Sequence, residues 1–320
     1  MRLNARMLAA VLAIALVTGL SGQAFGWNDR GHMSVGYVAY KQLTPATRGR
    51  VNVLLKLNPK YGDWAARVDK EMPNAPLDNK NLMIFMIATT WADGIKGDSS
   101  YTVDGSQAGF RPDGSPDPGR NTGYDDSLMH KYWHFIDTPF TNDGTPLPPI
   151  PTPNAQERVA LFRTVLASTS ADELKSYDLT WLQHLVGDVH QPLHAVTRVS
   201  STDPEGDSGG NLVKLDCSKC ELHGFWDGLL GPNDNLNTIV KAAKKLPKAD
   251  PTLAAKSDEK DWLAESFQEA QQDVYVTPVG PGDGPFTLTA QYKKNAANLA
   301  KKRVALAGAR LANLLNTELK

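Results

Sequence analysis

The sequence predicts a mainly α fold, one compact multi-helix domain with one short β-hairpin. Three observations carry this reading. Apolar residues recur at helical spacing through six stretches, only two short stretches look extended, and no linker, repeat or low-complexity tract divides the chain. In chain order, residues 31–43 (GHMSVGYVAYKQL) are apolar at helical spacing. Thr44 and Pro45 then start a second helix towards Leu57, Thr as the cap and Pro in the first turn. Residues 81–93 hold LMIFMIATTWAD, an apolar run of helix length. Residues 155–170 and 171–190 make two more helices, the second largely buried by its pattern. Residues 288–320, rich in Ala, Leu, Lys and Asn and interrupted only by Gly308, read as one long C-terminal helix. The two extended candidates are 211–216 (NLVKLD) and 221–226, the arms of the hairpin. Loops are expected at 96–126, 138–153 and 200–210, where Gly, Ser, Asp and Pro concentrate.

The first 26 residues stand apart. Arg2 and Arg6 precede an apolar run from Met7 to Leu20 that is too short to span a bilayer, and small Ala24 and Gly26 follow. That is the pattern of a cleaved secretory signal, with the cut after Gly26 and a mature chain, 27–320, beginning at Trp27. The leader takes two of the 34 basic residues and no acid, leaving 32 against 35, a net of −3. This balance excludes a protein that grips duplex DNA by charge alone. Affinity for a phosphate ligand then has to come from another source, and bound metal is the obvious candidate. The only two cysteines, Cys217 and Cys220, lie where disulfides persist and read as a local staple of a turn. A zinc site on that pair alone lacks two ligands, and the flanking sequence does not suit a thioredoxin-like pair.

The chemistry lies in seven histidines, at 32, 130, 134, 184, 190, 194 and 223. His184 and Asp188, four apart in LQHLVGDVHQPLH, share one helix face. Pro192 ends or kinks that helix, so His194 can turn towards another point of the same cleft. His223 and Asp227 repeat the spacing in LHGFWD. Carboxylates set among Leu, Val, Phe and Trp are costly unless paired or bound to metal. Imidazole plus carboxylate without thiolate suits hydrolytic zinc. Asp93 in TTWADG and His134 in YWHFID are further candidates, each also readable as a helix-end or core residue.

WNDRGH, WAD, WHFID, HLVGDVHQPLH, GGN and LHGFWD occur in this order. The series resembles the zinc-dependent single-strand nucleases of fungi, plants and bacteria (the S-one/P-one nuclease family), distantly related to bacterial phospholipase C. The resemblance runs from Trp27 to about Asp227 and implies the phospholipase C/nuclease type of helical fold. It implies three Zn2+ per chain: one on Asp93, His134, His184 and Asp188; one on His194, His223 and Asp227; and one on Trp27, His32 and Asp188. Trp27 would bind through its α-amino nitrogen and carbonyl oxygen, which requires removal of the leader. Asp93 and Asp188 are the implied catalytic carboxylates. Phe135 either stacks on a base or packs in the core, Asp137 bonds to the base edge, and Asn211 lines the cleft. Lys96 stands where the family often has Arg; it keeps the charge but loses the bidentate fork, which puts its hold on phosphate in doubt. His130 and His190 fall outside the ligand pattern, as supporting or surface residues.

The implied activity is endonucleolytic hydrolysis of single-stranded DNA and RNA to 5′-phosphorylated products, with 3′-nucleotidase activity. The substrates are nucleic acids and nucleotides. No stable protein partner is implied, nor any membrane anchor after cleavage, and the protein is expected to be secreted or periplasmic. Two other classes stand beside this. A phospholipase C-like esterase would use the same metals, although such relatives tend to end the ligand set with Glu where this chain has Asp227. A non-catalytic zinc-binding protein is disfavoured by the complete ligand set.

Overall fold

The computed structural model describes residues 26–101 and 128–319. The expected leader before Gly26, and the expected loop from residue 102 on, lie outside the described residues. The mainly α class is what the backbone shows. The helices are α1 (Asp29–Gln42), α2 (Pro45–Lys56), α3 (Tyr61–Glu71), α4 (Leu77–Ala88), the one-turn α5 (Trp91–Gly94), α6 (Ala155–Ala167), α7 (Asp172–Asp188), α8 (Leu222–Asp227), α9 (Leu236–Ala243), α10 (Pro251–Ala254), α11 (Glu259–Glu269) and α12 (Ala290–Glu318). Several start where their caps dictate. Thr44 accepts from Thr47 N–H, Asn154 from Gln156 N–H and Thr289 from Tyr292 N–H, each satisfying an orphan donor of the first turn.

Two expectations are corrected. The apolar run 81–93 is not one helix: α4 ends at Ala88 and Asp93 sits in α5. The Thr89 and Thr90 hydroxyls donate back to the carbonyls of Met86 and Ile87 (2.6 and 2.9 Å), a local alternative to the helical ladder that the apolar pattern does not reveal. The hairpin survives only as one antiparallel bridge, Lys214 to Glu221, because its second arm winds into α8. The Cys217–Cys220 disulfide closes that turn, as expected. The one two-stranded sheet among the described residues is a parallel pair, β1 (Pro139–Thr141) on β2 (Thr197–Val199), in register Phe140 to Arg198.

α7 runs through the main apolar cluster, every residue from Lys175 to Asp188 buried, which matches the pattern reading. α6, α2, α12, α5 and α1 pack around it. A smaller apolar cluster gathers Leu193, Val196, Leu222, Trp226 and Tyr275 beneath α8. α1 packs most extensively on α12. The crossing is close because a Cβ on Gly308 would lie 2.5 Å from Val38 Cβ and 2.9 Å from Val35 O. α12 also clamps the turn that follows α7. Arg303 Nε donates to His190 O (3.2 Å) and Arg310 donates to His190 Nε2 (2.9 Å). His190 Nδ1–H is held by Val186 O, so the imidazole is neutral; burial first, then the two guanidiniums, push it well below its ordinary range.

Gly308→Val should force α1 and α12 apart. Overpacking of this kind costs about 1–3 kcal/mol, to be read as a lower midpoint in urea unfolding. An unchanged midpoint would show that the crossing opens without cost.

Candidate metal centre

Breaks in regular structure position the imidazoles. Where α4 stops, Thr89 O is released from the helix and accepts from His184 Nδ1 (2.7 Å). His194 Nδ1 donates to His134 O and His223 Nδ1 to Gly209 O, each at 2.7 Å. A carbonyl can only accept, so all three rings carry their proton on Nδ1 and present Nε2 as a lone pair. This is how ligating histidines are oriented elsewhere.

The lone pairs converge on buried carboxylates. Asp188 Oδ2 lies 3.1 Å from His184 Nε2 and 2.9 Å from His134 Nδ1, while Asp188 Oδ1 faces His32 Nε2 at 3.3 Å. Asp93 Oδ1 is 3.7 Å from both His134 Nδ1 and His184 Nε2, and Asp93 Oδ2 is 3.9 Å from His32 Nε2. The His32 ring stacks on His184 with centroids 3.9 Å apart. Nearby, His194 Nε2 and His223 Nε2 stand 3.1 Å apart, and Asp227 Oδ2 is 3.6 Å from His223 Nε2. Three groups therefore have ligand atoms close enough to share an ion: His32, Asp93 and His184; His134, His184 and Asp188; and His194, His223 and Asp227.

Protein contacts alone do not satisfy this arrangement. Asp188 Oδ1 and both ring nitrogens of His32 are buried and make no hydrogen bond. His194 and His223 aim lone pairs at each other, which repel unless a cation or proton stands between them. Burial first, helped by the charges of Asp93 and Asp188 and opposed by the Gln191 amide, pushes the Asp227 carboxyl well above its usual range. Burial also raises Asp188, but the imidazoles of His184, His194 and His134 around it outweigh that and hold it well below. Burial and the Lys96 ammonium push His134 down to about 3, which keeps its ring neutral. Orphaned atoms, converging lone pairs and a carboxylate lacking its own cation are what divalent metal would resolve, so the residues fit metal ions.

The other expected site residues fall as follows. Trp27 is fully buried. Its backbone nitrogen, bonded here to Gly26, lies at the Asp188–His32 end of the cluster, since a Cβ on Gly26 would sit 1.6 Å from Asp188 Oδ1 and 3.1 Å from His32 Nε2. Lys96 is buried with Nζ 2.7 Å from Asp93 Oδ1, so its charge is committed to a candidate ligand. Phe135 is half-buried at the edge of the main apolar cluster, and Asp137 is half-buried two residues on. Asn211 turns its amide back to Ser208 O (2.7 Å), beside the Gly209 carbonyl that orients His223. His130 and His190 are fully buried, so neither is a surface residue; His130 stacks on Trp133 at 3.6 Å. Sequence reasoning missed Thr89, Gly209 and Gln191. Backbone carbonyls leave no mark in a sequence, but Gln191 stands inside the HQPLH block and was open to notice.

A helical frame with buried histidine–carboxylate groups of this kind defines a metal-binding protein of the mainly α class. The model of the S1/P1 nuclease family matches residues 27–320, and the chain belongs to that family, which is metal-dependent. It is 30% identical over 175 residues to Endonuclease 5 of Arabidopsis thaliana, covering 47% of this chain and 55% of the relative. It is 28% identical over 169 residues to Endonuclease 2 of the same plant, covering 46% of this chain and 55% of the relative. The chain thus spans about half the length of the curated relatives it matches.

Ligating imidazoles must be neutral, so acid competes with metal. Metal retained through gel filtration at about pH 7.5 should be lost near about pH 4, where ordinary imidazoles are protonated. Metal retention unaltered across that range would argue against histidine ligation.

Proposed function

We propose that this chain is a secreted or periplasmic zinc-dependent endonuclease that hydrolyses single-stranded DNA and RNA to 5′-phosphorylated products, with 3′-nucleotidase activity. The observation that carries the reading is Asp188, whose two oxygens face different imidazoles inside a buried group that adjoins a second one. Family membership over 27–320 and the endonuclease names of the relatives support it. Three zinc ions would be held by Asp93, His134, His184 and Asp188; by His194, His223 and Asp227; and by Trp27, His32 and Asp188. Bound zinc supplies Lewis acidity towards the phosphodiester and a water nucleophile at neutral pH.

The chain's own residues do the positioning. Lys96 holds Asp93 by an ion pair and places positive charge beside it. Phe135 offers a ring at the cluster's edge on which a free base can stack, and Asp137 stands two residues away to accept from the base edge. Stacking needs an unpaired base, which accounts for preference for single strands. Asn211 flanks the cleft. Among the described residues, no helix is long and apolar enough to cross a membrane.

The decisive experiment measures zinc content of the protein beginning at Trp27 together with hydrolysis of single-stranded DNA, RNA and a choline phospholipid. About three zinc ions with nucleic-acid cleavage is the expected result. Cleavage of lipid alone would replace the nuclease with an esterase, and absence of zinc would refute the metal assignment. The same protein carrying extra residues ahead of Trp27 should bind one ion fewer, because its α-amino nitrogen is then an amide. Separately, Phe135→Ala should weaken substrate binding by about 1–3 kcal/mol, appearing in KM rather than in zinc content. A KM unaltered by the substitution would make Phe135 a packing residue.

A further inference from the structure

One residue outside the ligand set is tied to both groups, to one by its side chain and to the other by its backbone. Gln191 is fully buried in the turn between α7 and Pro192. Each of its polar groups has a partner. The backbone N–H donates to Asp188 O (2.8 Å) and the backbone carbonyl accepts from His194 N–H (3.0 Å). In the side chain, Oε1 accepts from Leu193 N–H (2.6 Å) and Nε2 donates to Asp227 Oδ1 (2.8 Å).

The amide orientation is not ambiguous. The Leu193 N–H can only donate, so the oxygen must face it, and the NH2 must therefore face the Asp227 carboxylate. That bond occupies Oδ1 and leaves Oδ2 turned towards His223 Nε2, 3.6 Å away. A single residue thus fixes which Asp227 oxygen is offered to the His194–His223 pair. Through its backbone it also ties His194 to the turn that ends at Asp188. Without the amide, Asp227 Oδ1 loses its one hydrogen-bond partner among the described residues.

We propose that Gln191 is a positioning residue: its side-chain amide orients Asp227 for metal binding in the His194, His223 and Asp227 group. This rests on the zinc reading above and goes beyond it, because Gln191 is not itself a ligand. The loss of partners that orient metal ligands typically costs 10–100-fold in affinity.

The test uses the processed protein, zinc as the probe, and two variants, Gln191→Met and Gln191→Ala. Zinc per chain is measured after equilibration with graded chelator, and the cobalt-substituted absorption spectrum is recorded beside it. The wild type should hold three ions. Each variant should hold two with wild-type affinity and one about 10–100-fold more weakly, with the cobalt bands of one site altered. A residue that served only general packing would weaken all ions together or none. Circular dichroism in excess chelator, matching the wild type, separates a local effect from misfolding; should the Met variant fail to fold, the Ala variant gives the same reading without excess volume. Three ions at wild-type affinity and an unchanged cobalt spectrum in a folded variant would overturn the proposal. A wild type that binds no zinc would instead overturn the metal reading beneath it.

Discussion

Asp188 is the constraint on which the rest depends. It is a fully buried carboxylate whose Oδ2 meets His134 and His184 while Oδ1 faces His32. Burying a charge costs several kcal/mol even after relaxation, and only close, well-aligned partners offset it. Imidazoles are poor counter-ions here, because to balance the carboxylate they must take protons, and to serve as ligands they must not. A multivalent cation removes the conflict. It also explains why α7 is so uniformly buried: the helix must deliver His184 and Asp188 on one face, in a place from which water is excluded.

The demand then spreads outward to irregular backbone. Three ring protons are held by Thr89 O, His134 O and Gly209 O, and none of these carbonyls belongs to the middle of a helix. Helical carbonyls are already engaged, so only breaks can supply free ones. The break after α4, the short turn at 131–134 and the glycine turn before Asn211 are therefore parts of the site, not interruptions of the fold. Behind them, Arg303 and Arg310 hold the His190 turn with charge-assisted hydrogen bonds. The C-terminal helix thereby fixes a segment that carries Asp188, Gln191 and His194.

Much of this was legible in the sequence because it depends on spacing. His184 with Asp188, and His223 with Asp227, share a face for the geometric reason that applies to any helix. The capped start at Thr44 and the long C-terminal helix were equally readable. Histidine usage was itself a signal. All seven histidines are buried, although histidine is ordinarily only intermediate in burial. What stayed hidden was set by single hydrogen bonds. The two threonine hydroxyls that end α4 sit in a run whose apolar pattern continues past them. The arm 221–226 has alternation enough for a strand, yet it folds as a helix that aims His223 and Asp227 at a common point. The parallel pairing of β1 with β2 joins residues too far apart in sequence for local pattern to reveal.

Charge placement connects the centre to its proposed substrate. The chain is slightly acidic, with 35 acidic against 34 basic residues, so its surface as a whole offers a polyanion no long-range attraction. Three divalent ions set against the carboxylates of Asp93, Asp188 and Asp227 would leave an excess of positive charge confined to one cleft, with the Lys96 ammonium beside it. Attraction of that kind is local and strong because the surroundings are poorly screened. Under the proposed function it would recognise one phosphate at a time instead of a stretch of backbone, and would leave the remaining affinity to a stacked base. A duplex offers its phosphates readily but keeps its bases paired, so the same division of labour that would compensate for an acidic surface would also favour the single strand.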